Sequence, residues 1–147
     1  MSYKFWQIEN MLFEGIVLQV ALVELTSNPN DIPTPLTIAN VTLKGYPLEM
    51  RANSEQVTIT FSKVAEFRAV PEICSWPAYD DGEGLIIPCL LYEKPSSFFD
   101  GKNGPHRHEI YDKSIGWWVA AENLRCYIVH SESFDVYVLS SQPPSVN

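Results

Sequence analysis

The stretch VTITFSKVAEFRAVP, residues 57–71, decides the fold class. Its first part alternates apolar and hydroxyl side chains with a period of two, which predicts a strand with one buried and one wet face. The alternation changes phase at Lys63, and such a change predicts a bulge or a tight bend. Pro71 lacks a backbone N–H, so we expect the second part to end there or to lie at a sheet edge.

Two further strand-like runs follow near the end of the chain, Leu124–His130 and Phe134–Ser140. Only three residues join them, which predicts an antiparallel hairpin. In the second run, alternation places one set on one face (Phe134, Val136, Val138) and the other set on the opposite face (Asp135, Tyr137, Leu139). The proline-containing tail from Gln142 is not expected to continue the strand.

The remaining apolar runs are shorter or less regular. Ile16–Leu25 is apolar on both faces and rich in β-branched residues, which favours a central, doubly covered strand over a buried helix. Leu85–Tyr92 predicts a buried strand that is broken, or lies at an edge, at Pro88. One short helix is predicted over Ile115–Asn123, with Asp112 or Ser114 as its cap and Trp118 facing inward.

These elements predict a mainly β protein, an antiparallel β-sandwich or open barrel with one short helix, formed by a single domain over residues 1–147. The chain has 147 residues, of which 46% are hydrophobic, so one core of ordinary size is expected.

The net charge and the lack of targeting signals argue against several classes of function and location. With 18 acidic and 10 basic residues the formal net charge is −8, which disfavours binding to nucleic acid and to anionic membranes. The most apolar stretch, residues 15–23, is too short to span a bilayer. The N-terminus lacks the pattern of a secretory signal, and the three cysteines are widely spaced, so we expect reduced thiols and a cytoplasmic location.

The segment His106–Glu109 is the one metal-like cluster in the sequence. On a strand, His106 and His108 share a face and offer two imidazoles to a metal, as in a cupin-like barrel. Glu109 adjoins His108 and would point the other way. We therefore predict two surface histidines and no cofactor, and keep a metal- or small-ligand-binding barrel as the alternative function.

Catalytic signatures are absent from the sequence. It contains neither a G-x-S-x-G elbow nor a glycine-rich phosphate loop, and it has only 7 glycines. The expectation is a protein that is not an enzyme and that binds a partner protein or associates with itself.

Four residues are candidates for binding. Arg68 lies in an apolar strand, and an inward-facing guanidinium needs a carboxylate such as Glu72, Glu66 or Asp135. We predict a structural ion pair, with a binding-site arginine and Glu72 as the alternative.

Trp117 and Trp118 are the other two candidates. Adjacent residues cannot both face one core, so an exposed tryptophan here would indicate an interface. The competing interpretation is that both are partly buried under loops.

The segment 61–72, with Phe67-Arg68 and Glu72, resembles the middle of a group of small uncharacterised bacterial proteins. The end of the chain resembles the end of the same proteins through Ser114, the tryptophans, Leu124, Tyr127-Ile128, Asp135-Val136 and Pro144. Some members of this group look like immunity proteins of bacterial toxin systems. The resemblance implies binding of a partner protein and carries over no catalytic residue.

Overall fold

The computed structural model describes residues 4–27, 34–45, 48–71, 84–101 and 107–147. Within these ranges the chain forms thirteen strands and two short 3₁₀ helices. The strands are β1 (Phe5–Glu14), β2 (Val17–Leu25), β3 (Thr34–Ile38), β4 (Val41–Gly45), β5 (Gln56–Phe61), β6 (Val64–Pro71), β7 (Leu85–Ile87), β8 (Leu91–Pro95), β9 (Glu109–Asp112), β10 (Trp117–Ala120), β11 (Arg125–Val129), β12 (Phe134–Ser140) and β13 (Ser145–Val146). The 3₁₀ helices are Ser96–Asp100 and Ala121–Asn123.

Two open sheets form the body of the protein. One has the order β1-β2-β5-β13 and the other the order β6-β12-β11-β8-β7, and the pairs within both are antiparallel. Two separate hairpins, β3–β4 and β9–β10, complete the described part of the chain. The sheets do not close into a barrel. The predicted mainly β, antiparallel fold is therefore confirmed in its sandwich form.

The segment 57–71 contains the bend that its change of phase predicted. The chain turns at Ser62 and Lys63, so that β5 and β6 lie in different sheets. A register shift between β6 and β12 then brings Val64 and Phe67 to the same core, which a simple alternation would separate. β6 is an edge strand and ends at Pro71, as the missing N–H predicts.

The first core lies between the two sheets. The four-stranded sheet contributes Trp6, Leu18, Val20, Leu22, Ile59 and Phe61. The facing strands and turn contribute Val64, Leu90, Leu91, Tyr127, Val129, Val136 and Val138. The faces meet because alternate residues of each strand point to the same side.

A second core covers the opposite face of the five-stranded sheet. Its sheet residues include Ala65, Tyr92, Cys126, Ile128, Tyr137 and Leu139. The 3₁₀ helix Ser96–Asp100 supplies Phe99, and the β9–β10 hairpin supplies Ile110. The β11–β12 hairpin and the two faces predicted for β12 are confirmed. The central strands β11 and β12 of the five-stranded sheet are therefore covered on both faces.

Three expectations about single elements are corrected. The helix predicted over residues 115–123 is wrong, because residues 117–120 pair with β9 as a strand and only Ala121–Asn123 is a 3₁₀ helix. β2 is a central strand, but Val17 and Gln19 are exposed, so its first half is covered on one side only. Residues of the C-terminal tail form β13, which pairs with β5.

The run that was predicted to be buried around Pro88 is divided into β7 and β8. Cys89, in the turn between them, has a positive φ of 63°. The break at the proline agrees with the prediction, while Leu85 and Ile86 are exposed rather than buried.

Candidate protein-interaction surface

The β9–β10 hairpin exposes four large apolar side chains to solvent. The exposed fractions are 69% for Trp117, 56% for Trp118, 62% for Ile115 and 45% for Tyr111. We call residues 109–120 the aromatic hairpin. More than half of each tryptophan is exposed, which disagrees with the alternative in which both are partly buried under loops.

The turn of the aromatic hairpin is held by its own side chains. The carboxylate of Asp112 accepts hydrogen bonds from the Ser114 backbone N–H at 2.8 Å and from the Ser114 hydroxyl at 2.6 Å. The Gly116 N–H donates to the Asp112 carbonyl at 2.9 Å, and Gly116 has a φ of 69°, a left-handed conformation that glycine adopts without a Cβ clash. Asp112 thus stabilises a turn between two strands, and the predicted helix cap is wrong together with its helix.

Two of the exposed aromatic rings support each other. Tyr111 lies directly opposite Trp118 in the hairpin, with ring centroids 5.6 Å apart and an interplanar angle of 75°. Edge-to-face pairs of this kind add about 0.5–1.5 kcal/mol beyond burial. The two rings are therefore held in position before any partner binds.

The inner side of the aromatic hairpin anchors it to the body. Ile110 is buried in the second core, Val119 packs against that core, and Asp112 is only 4% exposed. Just before β9, the Arg107 guanidinium donates to the carboxylates of Glu66 at 2.8 Å and Asp100 at 2.9 Å. These ion pairs tie the base of the hairpin to β6 and to the first 3₁₀ helix.

Arg68 is exposed, so its guanidinium does not point inward and does not require a buried ion pair. Its guanidinium carbon lies 5.1 Å from the ring centre of Phe99 and 5.7 Å from that of Tyr137. Within the described residues its contacts are these aromatic faces rather than a carboxylate. Cation–π contacts at exposed sites contribute about 0.5–1 kcal/mol. Glu72 lies outside the described residues.

The histidine pair is described only in part. His106 lies outside the described residues, and His108 is exposed just before β9. Among the residues that the structure describes, no group of three histidine, cysteine, aspartate or glutamate side chains is arranged to hold a metal ion.

Buried ionisable groups elsewhere belong to the core. Burial, reinforced by the neighbouring Glu93 carboxylate, raises the pKa of Tyr127 to about 12. Burial also raises the pKa of the Cys126 thiol. A thiol that stays protonated is a poor nucleophile, so Cys126 acts as an apolar filler.

Sequence reasoning named the two tryptophans but missed Tyr111 and Ile115. The signal was present in the alternation of Ile110, Tyr111 and Asp112, which places Tyr111 on the outer face of a strand. The alternation alone does not reveal a hairpin, because the sequence predicts a helix for the residues that form the partner strand.

The chain has no match among protein-family models, curated proteins or solved structures. The similarity to immunity proteins therefore stays a hypothesis. In the described ranges, none of the helices combines the length and the apolar character needed to cross a membrane.

Proposed function

We propose that this chain is a non-enzymatic protein-interaction module that binds a basic partner protein through the aromatic hairpin. The observation that carries the proposal is the exposure of two adjacent tryptophans, one on each face of β10, in a hairpin that Ile110 and Val119 anchor to the core. Tryptophan and tyrosine are enriched among the residues that dominate binding energy at protein interfaces.

Burying the two exposed tryptophan rings would contribute a large favourable free energy to binding. Together Trp117 and Trp118 expose about 300 Å² of surface, taking about 250 Å² for a whole tryptophan side chain. At ~25 cal/mol per Å², burying that area contributes about 7.5 kcal/mol before the costs of association are subtracted. This surface is therefore sufficient to supply the hot spot of a specific complex.

Charge favours a basic partner. The chain carries a formal net charge of −8, and the acidic residues Glu109 and Glu122 are exposed at the aromatic hairpin and just after it. Complementary charge raises association rates and excludes partners of the same sign. An immunity-like role, as the resemblance implies, is the most specific form of this proposal.

Affinity purification of the tagged full chain from its source organism tests the proposal. We expect one stoichiometric basic protein, identified by mass spectrometry, with Kd then measured by calorimetry on the purified pair. A Trp117→Ala/Trp118→Ala double variant should weaken that complex at least 100-fold. A Leu12→Ser variant, which alters an exposed apolar side chain on the other sheet, should bind as the unmodified chain does.

The immunity-like form has its own readout. The partner expressed alone should arrest growth of a host cell, and co-expression of this chain should restore it. Equal affinity of the double variant and the unmodified chain would refute the role of the aromatic hairpin. A harmless partner would refute the immunity-like role and leave the interaction module intact.

A further inference from the structure

β10 presents a strand edge with no backbone partner within the described residues. It pairs with β9 on one side, and its two-stranded sheet contains nothing on the other. The Ala121 N–H donates to the His108 carbonyl at 2.9 Å, which makes 121 and 108 a hydrogen-bonded pair. Because such pairs alternate along an antiparallel ladder, the N–H and C=O groups of Ala120 and Trp118 point away from β9.

The side chains along this edge determine which residues an added strand would need. Trp118 lies opposite Tyr111, and Ala120 lies opposite Glu109, all on one face of the hairpin. The small Ala120 leaves the Glu109 carboxylate reachable from across β10 by a long side chain. A strand laid along β10 would place an apolar residue against Trp118 and, two residues away, a lysine or arginine over Ala120.

We propose that β10 is a strand-addition site, at which the partner extends the aromatic hairpin into a three-stranded sheet. This inference rests on the proposed function and names the chemistry of the bound segment, an extended stretch that carries an apolar residue and, two positions along the same face, a basic residue. Main-chain hydrogen bonds give affinity in this mode of recognition, and alternate side chains give specificity.

Charge selects this occupant over a second copy of the chain. Two copies would each carry a net charge of −8, so mutual repulsion opposes their association. A basic strand instead places a positive side chain near the Glu109 carboxylate.

The backbone offers a selective test at Ala120. Its φ is −61°, which matches the angle that proline fixes near −65°. An Ala120→Pro variant therefore keeps the β10 conformation and the β9 pairing but removes the outward N–H. Ala120→Ser is the matched control, because it changes the side chain and retains that donor.

The probe is the amidated peptide (Val-Thr-Lys-Thr)₂, which places valine and lysine alternately along one face, titrated against the full chain by calorimetry. We expect it to bind the unmodified chain and Ala120→Ser equally, and to bind Ala120→Pro at least tenfold more weakly. The same peptide with every backbone amide N-methylated should lose binding to the unmodified chain, which tests strand pairing even if the proline variant fails to fold. Glu109→Gln should weaken the peptide about threefold.

The outcomes separate the two proposals. No binding of the peptide to the unmodified chain, or equal binding of the methylated peptide, overturns strand addition. Retained binding to a correctly folded Ala120→Pro variant overturns it as well, while a loss on Trp118→Ala keeps the aromatic hairpin as the binding surface. A dimer in sedimentation that disappears in Ala120→Pro would make a second copy the occupant and overturn the basic segment.

Discussion

Two glycines with the same backbone conformation should respond very differently to an added methyl group. Gly84 has a φ of +74° and Gly15 a φ of +63°, so alanine is strained at both positions. A Cβ at Gly84 would lie 1.7 Å from the Glu93 carbonyl oxygen, whereas a Cβ at Gly15 has no atom within 4 Å. Comparison of the two alanine variants isolates the effect of the overlap.

The left-handed conformation alone costs an alanine about 1–2 kcal/mol, and this is the whole effect expected for Gly15→Ala. At Gly84 the backbone must also move by about 1.5 Å to restore van der Waals contact. That shift breaks the hydrogen bond that the Glu93 N–H donates to the Gly84 carbonyl, which is 2.7 Å long in the native fold. Losing such a bond lowers the free energy of unfolding by about 0.5–1.5 kcal/mol. Disturbed pairing of β7 with β8 adds to this, so Gly84→Ala should destabilise by about 3–4 kcal/mol.

Urea unfolding followed by circular dichroism measures both free energies under one set of conditions. The expected result is an unchanged m-value and a free energy of unfolding about 2 kcal/mol lower for Gly84→Ala than for Gly15→Ala. Equal destabilisation of the two variants would show that Gly84 does not lie against Glu93, and would refute the reasoning.

Three further outcomes follow from buried groups and from the hairpin turn. Because the folded state raises the pKa of Tyr127 to about 12 from 10.0, its phenolate absorbance should appear near pH 12, and the free energy of unfolding should fall as pH rises from about 10 towards 12. A Tyr127→Phe variant should lack that step, and a step near pH 10 that the variant loses would contradict the assignment. Since burial raises the pKa of the Cys126 thiol, the native protein and Cys126→Ser should titrate the same number of thiols with Ellman's reagent; one thiol fewer in the variant would show that Cys126 is accessible. Asp112→Ala should lower stability by about 1–2 kcal/mol in thermal melts, while Asp112→Asn, which keeps an acceptor for Ser114, should lose less; equal losses would rule out the turn hydrogen bonds as the cause.

The parts of the fold that follow from local periodicity were predictable. β12 spans the residues that its alternation indicated, and the three-residue connection fixed its antiparallel partner. The bend near Lys63 could be read in the same way, because a change of phase is visible in a single strand. These signals need no knowledge of distant residues.

The candidate surface was harder to predict from the sequence, because strand pairing overrides the local preference of one segment and a distant residue sets the environment of another. The run from Ile115 contains alanines and looks helical by itself, but pairing with β9 overrides that preference. The environment of Arg68 likewise depends on Tyr137, which lies opposite it across the sheet and is far away in sequence. The sequence could indicate that one tryptophan of the pair is exposed, but in the structure both are, one on each face of β10.

Because the central strands of the five-stranded sheet are covered on both faces, the residues that stabilise the fold are separate from those proposed to bind a partner. Substitutions in β11 and β12 meet a core on either side, so these strands have little freedom to change. The outer residues of the aromatic hairpin face solvent and touch neither core. Related chains can therefore diverge in what they recognise, through a few outer positions between 109 and 120, while inheriting an unaltered interior.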